Sequence, residues 1–293
     1  MRLQKTKLTA AAITALVFIF SPAPSPAQDN NFRWQEVSRE MDTLVFPRAF
    51  IDSVTREHLG GAGITRGLRN VRPGPFVNGE TLVYDVGWSR FRAGFMILSA
   101  ERDQATGLIR LGAKAMSSTV VSAFYRIRNH EVSWIDPVGL YPHFFEHHAR
   151  EGNKYSMDSY IVYDHVNGKL FLQRRRMEEF DIPRFTHDYL SLIYYVRSLP
   201  LKPGDTFEAN LFTRPRTHPV TFRVHDRRET IRTDAGTFNC LRVELVAGGD
   251  SRVFSGRDRI EVWVSDDENR YPVQIRSRAK IGSVNAKLIL ITK

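Results

Sequence analysis

The chain is poor in features that announce a chemistry. One cysteine in 293 residues rules out an intramolecular disulfide. No Ser stands in a G-x-S-x-G elbow, and no H-E-x-x-H, Walker loop or Cys-based nucleophile motif occurs. The stretch from Gly61 to Gly67 has the spacing G-x-G-x-x-x-G with no strand before it, so it fails as a dinucleotide fingerprint. These absences lower the expectation of an enzyme without excluding one, because triads are made by geometry rather than sequence order. Long apolar runs are missing too. Residues 8–20 form a 13-residue run, shorter than the roughly 20 residues a membrane-crossing helix needs.

What is present begins with Arg2, Lys5 and Lys7, then that apolar run, then the Pro-, Ser- and Ala-rich residues 21–27. This is the layout of a cleavable signal peptide, with small Ser25 and Ala27 ahead of a cut before Gln28. No Cys follows the cut, so a lipoprotein signal is not expected. Cys240, flanked by Phe238, Leu241 and Val243, reads as a buried, inert thiol. The signal holds three Lys or Arg and no Asp or Glu, so its removal lowers the formal charge from +10 to +7. A basic protein in the periplasm of a Gram-negative envelope, or secreted, is suited to anionic lipid phosphates or acidic glycans. The compartment argues against nucleic acid, and the mature chain is not expected to span a membrane.

Beyond the signal peptide at 1–27, residues 28–76 read as an N-terminal extension and linker. Irregular helical patterning around Trp34, Val37, Met41, Leu44, Phe50 and Val54 is interrupted by Pro47, and Gly60-Gly61-Ala62-Gly63 and Pro73-Gly74-Pro75 break regular structure. Residues 77–293 read as one β-rich domain. From Glu80 the period becomes two: Leu82, Tyr84, Val86 and Trp88 point one way, Val83, Asp85 and Gly87 the other. Strands are expected at 94–101, 105–114, 155–164 and 169–176, the last two divided by Asn167-Gly168, a pair suited to a tight hairpin. Further strands are expected at 229–233, 237–245, 260–265, 273–278 and 283–291. The fold class is all-β, a strongly curved antiparallel sheet or incomplete barrel. One amphipathic helix interrupts it at 188–197, with Thr186 or Asp188 as N-cap and Pro200 beyond its end, placed to plug or cover an open end.

Several segments together resemble the bacterial family called domain of unknown function 3108. They are Gly79-Glu80-Thr81-Leu82-Val83-Tyr84-Asp85-Val86-Gly87-Trp88 with Ala93-Gly94, the helix His187-Asp188-Tyr189-Leu190-Ser191-Leu192-Ile193-Tyr194-Tyr195-Val196-Arg197, Ala235-Gly236-Thr237-Phe238, Val262-Trp263-Val264-Ser265-Asp266-Asp267 with Tyr271-Pro272-Val273, and Ile281-Gly282-Ser283. The family's helix motif begins Asp-Pro-Leu-Ser, and Tyr189 replaces that Pro here; the helix should survive, since Pro favours the first turn without being required there. The resemblance implies an exported envelope protein and supplies no activity. The closing strand layout is also similar to half-open barrels that carry lipoproteins or lipids across the periplasm.

The densest chemical cluster is His143, His147 and His148 around Glu146. On a strand, His143 and His147 share one face while Glu146 and His148 share the other, so no metal site is expected. Asp85 with Glu80, Glu178 with Glu179, and Asp266 with Asp267 could serve a glycan-acting hydrolase, but neighbours on a strand diverge. Arg174-Arg175-Arg176 reads as a solvated strand edge. The aromatics Tyr84, Trp88, Phe95, Tyr194 and Trp263 are the candidate ligand-binding residues, lining an apolar pocket if the curved sheet is hollow. The expected function is non-enzymatic binding or carriage of an apolar or amphipathic envelope molecule, a lipid or glycan among the candidates, with no cofactor. The alternatives are an envelope-assembly scaffold that binds a protein partner, or the hydrolase.

Overall fold

The computed structural model describes residues 33–59, 64–72, 74–88, 91–247, 259–279 and 282–293. The expected signal peptide and its cut before Gln28 lie outside the described residues, as does the glycine run 60–63. Fourteen strands form one antiparallel sheet that is not closed into a barrel. They are β1 (Glu80–Trp88), β2 (Phe91–Arg102), β3 (Ile109–Ser117), β4 (Ile127–Ile135), β5 (Pro142–Glu151), β6 (Tyr155–Asp164), β7 (Lys169–Gln173), β8 (Met177–Asp181), β9 (Thr206–Thr213), β10 (Arg216–Thr233), β11 (Gly236–Ala247), β12 (Arg259–Ser265), β13 (Pro272–Ala279) and β14 (Gly282–Thr292). The spatial order runs from β8 back to β1, then β14 back to β9. Every neighbour except the β1–β14 pair is therefore a sequential hairpin partner.

The edges β8 and β9 meet through side chains. Arg214 pairs with Glu178 at 2.9 Å, and the rings of Phe180 and Phe212 lie 5.2 Å apart. The third strand starts later than its pattern suggested. Asp103 accepts the Ala105 N–H and the Thr106 hydroxyl, and Gly107 takes φ 69°, so residues 103–107 are a turn. Arg174-Arg175-Arg176 is likewise the turn between β7 and β8 rather than strand edge: Arg174 N–H donates to the Arg176 carbonyl at 3.2 Å.

Two helices cover one face of the sheet. Helix α1 (Trp34–Met41) sets Trp34, Val37 and Met41 on Val83, Phe95, Ile97 and Met116. Helix α2 (Arg48–Leu59), entered through Pro47, packs Phe50, Ile51, Val54 and Leu59 on Phe144, Tyr160 and Val162. Their apolar faces are spent on the sheet. After β3 comes a single turn, α3 (Thr119–Ser122), capped by Ser118.

Helix α4 (Tyr189–Arg197) lies on the concave face. It is not amphipathic as expected: no residue from 189 to 197 is exposed, and it is apolar on two sides. Leu190 and Tyr194 join the larger core, made chiefly with β1 to β7, β13 and β14, while Leu192 and Val196 join one made with β9 to β12. A helix enclosed in this way must have its charge and its caps answered internally. Asp188 caps it, accepting the Ser191 N–H at 2.8 Å and the Ser133 hydroxyl of β4 at 2.7 Å. Arg69 donates to His187 Nε2 at 3.0 Å, leaving Nδ1 to bond the Ser191 hydroxyl at 3.0 Å. At the other end the Arg197 guanidinium clasps both oxygens of Glu80 in β1. It also donates to the carbonyls of Asn269 and Arg270, each at 3.0 Å.

Arg197→Met leaves the Glu80 carboxylate buried without its charge partner and should cost about 3–5 kcal/mol. Adding Glu80→Leu should restore at least half of that loss. Urea denaturation midpoints measure both, and a double variant no more stable than the single one would show that the pair does not anchor the helix.

Candidate functional site

A cavity of about 130 Å³ lies between α4 and the concave side of the C-terminal strands. On the helix its wall is Tyr189, Leu192, Ile193, Val196 and Arg197, the i, i+3, i+4, i+7, i+8 stripe of one helical face. Across from it, the sheet presents Phe222, Val243, Leu245, Ile260, Val262, Val264 and Ile275. Register explains the match. Phe222 pairs with Leu245, Leu245 with Ile260, Val243 with Val262, and Val262 with Ile275, so these side chains share one face. Among the described residues the polar side chains of the wall are Tyr189 and Arg197, and the Arg197 donors are committed as described above.

The five aromatic candidates fall elsewhere. Tyr84 and Tyr194 are fully buried in the larger core beside Arg197, whose guanidinium lies 4.9 Å from the Tyr194 ring; Trp88 packs at the margin of that core. Burial raises the pKa of the Tyr84 hydroxyl well above its usual value. Trp263 alternates with Val262 and Val264, so its ring leaves the cavity side. Its indole N–H donates to Glu229 at 2.9 Å, and Arg276 lies 4.8 Å over it. Phe95 is on the other face of the sheet under α1, 6.5 Å from Trp34. The cavity wall is mostly aliphatic, with Phe222 and Tyr189 as its aromatic members, and of the five candidates only Trp263 alternates with wall residues. The signal that could have found them is the phase of β12, Ile260, Val262 and Val264, read together with the helical stripe.

The histidine cluster divides across the sheet as strand geometry requires. His147 bonds Glu131 at 2.9 Å in the concave interior. On the opposite face, His148 lies between Glu146 at 3.1 Å and Asp158 at 2.7 Å. Burial opposes its charge, but the hydrogen bonds to these two carboxylates prevail and raise its pKa. Glu146 also accepts the Phe46 N–H at 3.2 Å, so this group fastens the link between α1 and α2. His143 stands 3.6 Å from Asp136. Among the described residues no group of three metal-ligating side chains converges. The carboxylate candidates are engaged as well: Asp85 with Arg92, Glu178 with Arg214, and Asp266 with Arg228 and Arg270. Asp267 accepts turn N–H groups. Cys240 is fully buried, and desolvation pushes its thiol pKa up to about 12.

The family model for proteins of unknown function DUF3108 matches residues 83–289, from within β1 to within β14. The chain belongs to the DUF3108 family. The matched stretch holds α4 and the curved sheet except the first three residues of β1 and the last three of β14, and leaves α1 and α2 outside. No curated protein matches this DUF3108 chain. A β-barrel-like protein of domain of unknown function DUF1849 from Brucella abortus shares its fold at TM-score 0.54 and 12% identity, over 76% of this chain and 98% of that one. A Bacteroides fragilis protein described as exported, with a YmcC-like fold, aligns at TM-score 0.36 and 12% identity, over 76% of this chain and 100% of its own. A Parabacteroides distasonis protein described as a lipoprotein aligns at TM-score 0.30, with the same identity and coverage. No helix among the described residues of this DUF3108 protein is long and apolar enough to cross a membrane.

The buried imidazoles give the protein a pH dependence. Burial lowers His130 and His165 to about 4, against roughly 6.5 in an unfolded chain. Between those values the unfolded chain takes up protons that the folded one refuses, so stability falls on acidification, by on the order of 3 kcal/mol for each group. Asp188, raised by burial to about 6, works in the opposite sense over part of that range. The melting temperature should fall between pH 7 and 4.5, and His165→Gln should flatten that slope whatever it does to stability at pH 7. Parallel slopes for variant and parent would sink the assignment.

Proposed function

We propose that this DUF3108 protein is exported and, in the envelope, holds the hydrocarbon part of an apolar or amphipathic molecule in the cavity beneath α4, without chemistry on it. The observation that carries this reading is a wall made almost wholly of aliphatic side chains from both the helix and the sheet. Apolar cavities of about this size stay dry and accept a guest as large as benzene.

Size limits what enters. A cavity of about 130 Å³ takes roughly the last half-dozen carbons of a chain, comparable to benzene in the cavities just mentioned. At about 0.8 kcal/mol per buried methylene, six contribute about 5 kcal/mol, which alone gives only submillimolar affinity. Tight carriage therefore requires contacts outside the cavity or a shift of α4 that enlarges it. The excess of basic residues supports an acidic headgroup outside over a neutral one.

Val262→Trp, which fills the cavity from the sheet side, tests the reading. Phenylnaphthylamine fluorescence should rise on adding the parent protein, fall on competition with dodecanoate, and be lost in the variant while the urea midpoint holds. Leu245→Phe repeats the test if Val262→Trp does not fold. A parent protein that neither enhances the dye nor shows a co-purifying lipid by native mass spectrometry would overturn the proposal.

A further inference from the structure

Three arginines meet on the side of the sheet that faces α1. Arg128 in β4 and Arg150 in β5 are direct cross-strand partners, a placement that sets like charges against each other. Arg126 stands just before β4. Together with Glu40, Met41, Leu44 and Gly152 they line a cleft of about 290 Å³ below the end of α1. Their charges are unevenly answered. Arg150 is held by Asp158 in a two-point pair, at 2.9 and 3.1 Å. Arg128 spends one nitrogen on the carbonyls of Ser117 and Ile127 and on the Ser117 hydroxyl, while its buried Nε has no partner. No carboxylate pairs with Arg126 or Arg128 among the described residues, and Glu40 shares the cleft with both. Burial first, then repulsion from Arg126, lower the Arg128 pKa to about 10, and Glu40 offsets part of this.

Holding two such cations together costs free energy that a bound anion would return. A guanidinium fork fits a phosphate with paired N–H donors, which a single ammonium does not. The cleft also has an apolar wall in Met41 and Leu44, and Phe124, two residues before Arg126 in the chain, is 67% exposed. An isolated phosphate has no use for either feature, whereas an amphiphile has.

We propose that this cleft is an anion site for the phosphate group of an amphiphile, with Arg126 and Arg128 holding the phosphate and Phe124, Met41 and Leu44 meeting its apolar part. The site lies on the opposite face of the sheet from the cavity beneath α4 and does not depend on it.

The test is binding of the full mature protein to two probes. One is inorganic phosphate, followed by thermal shift and calorimetry. The other is phosphatidylcholine vesicles with and without phosphatidic acid, followed by co-sedimentation. Arg126→Gln should weaken binding at least fivefold, and Glu40→Gln should strengthen it severalfold by removing the opposing carboxylate. Arg175→Gln, in the β7–β8 turn, should change it little. Phe124→Ser should weaken vesicle binding and leave inorganic phosphate unaffected. Binding to vesicles alone, with this order of variants, supports a lipid as the source; binding to both probes supports the phosphate site with free phosphate as a further ligand. Equal weakening by Arg126→Gln and Arg175→Gln, no strengthening by Glu40→Gln, or no binding of either probe overturns the proposal.

Discussion

The clasp of Arg197 on Glu80 fixes a helix around which both halves of the sheet are folded. A helix enclosed by strands cannot leave a charge or a cap unanswered, because the interior offers no water to answer it. The solution here is spread over distant segments: β1 supplies Glu80, the β12–β13 turn supplies two carbonyls, β4 supplies Ser133, and Arg69 reaches in from outside the sheet. Each contact joins α4 to a different part of the chain. The helix is thus a shared core element more than a lid.

Its two sides meet different surroundings. Toward the N-terminal strands the space is filled by Tyr84, Tyr163, Phe145 and Leu98, long or aromatic side chains at core positions. Toward β11 and β12 the same depth is met by Val243, Val262 and Val264. Valine stops short where tyrosine would reach the helix, so the hollow forms on that side. A residue-size difference along an otherwise regular meander decides where a guest can sit.

Much of the sheet was legible. Alternation in residues 82–88 gave the correct faces of β1, Asn167-Gly168 marked the β6–β7 hairpin, and the helical spacing and Pro200 located α4. What was not legible depends on contacts remote in sequence. Phe95 reads as an interior aromatic until α1 covers its face. Trp263 attracts notice by size, yet its neighbours in the alternate phase form the wall. The surroundings of α4 are set by two strand groups far apart in the chain, so a helix scored as amphipathic in isolation is buried on both sides. The arginine cleft depends on the pairing of Arg128 with Arg150 and on the docking of α1, neither of which is visible in the linear order. His143 to His148 was the opposite case, where strand alternation alone separated the groups correctly.

The pairing of β1 with β14 has a consequence for how the protein comes into being. Thr81 finds its partner in Thr292, so the middle of the sheet joins the two ends of the domain, and one side of β1 must wait for the final strand to appear. Until then a long, apolar strand edge is open to any chain that passes, the situation in which sheets mispair and aggregate. A chain with this topology must be shielded from the first strand to the last, and its native state can be reached only after the whole length has been delivered to one place.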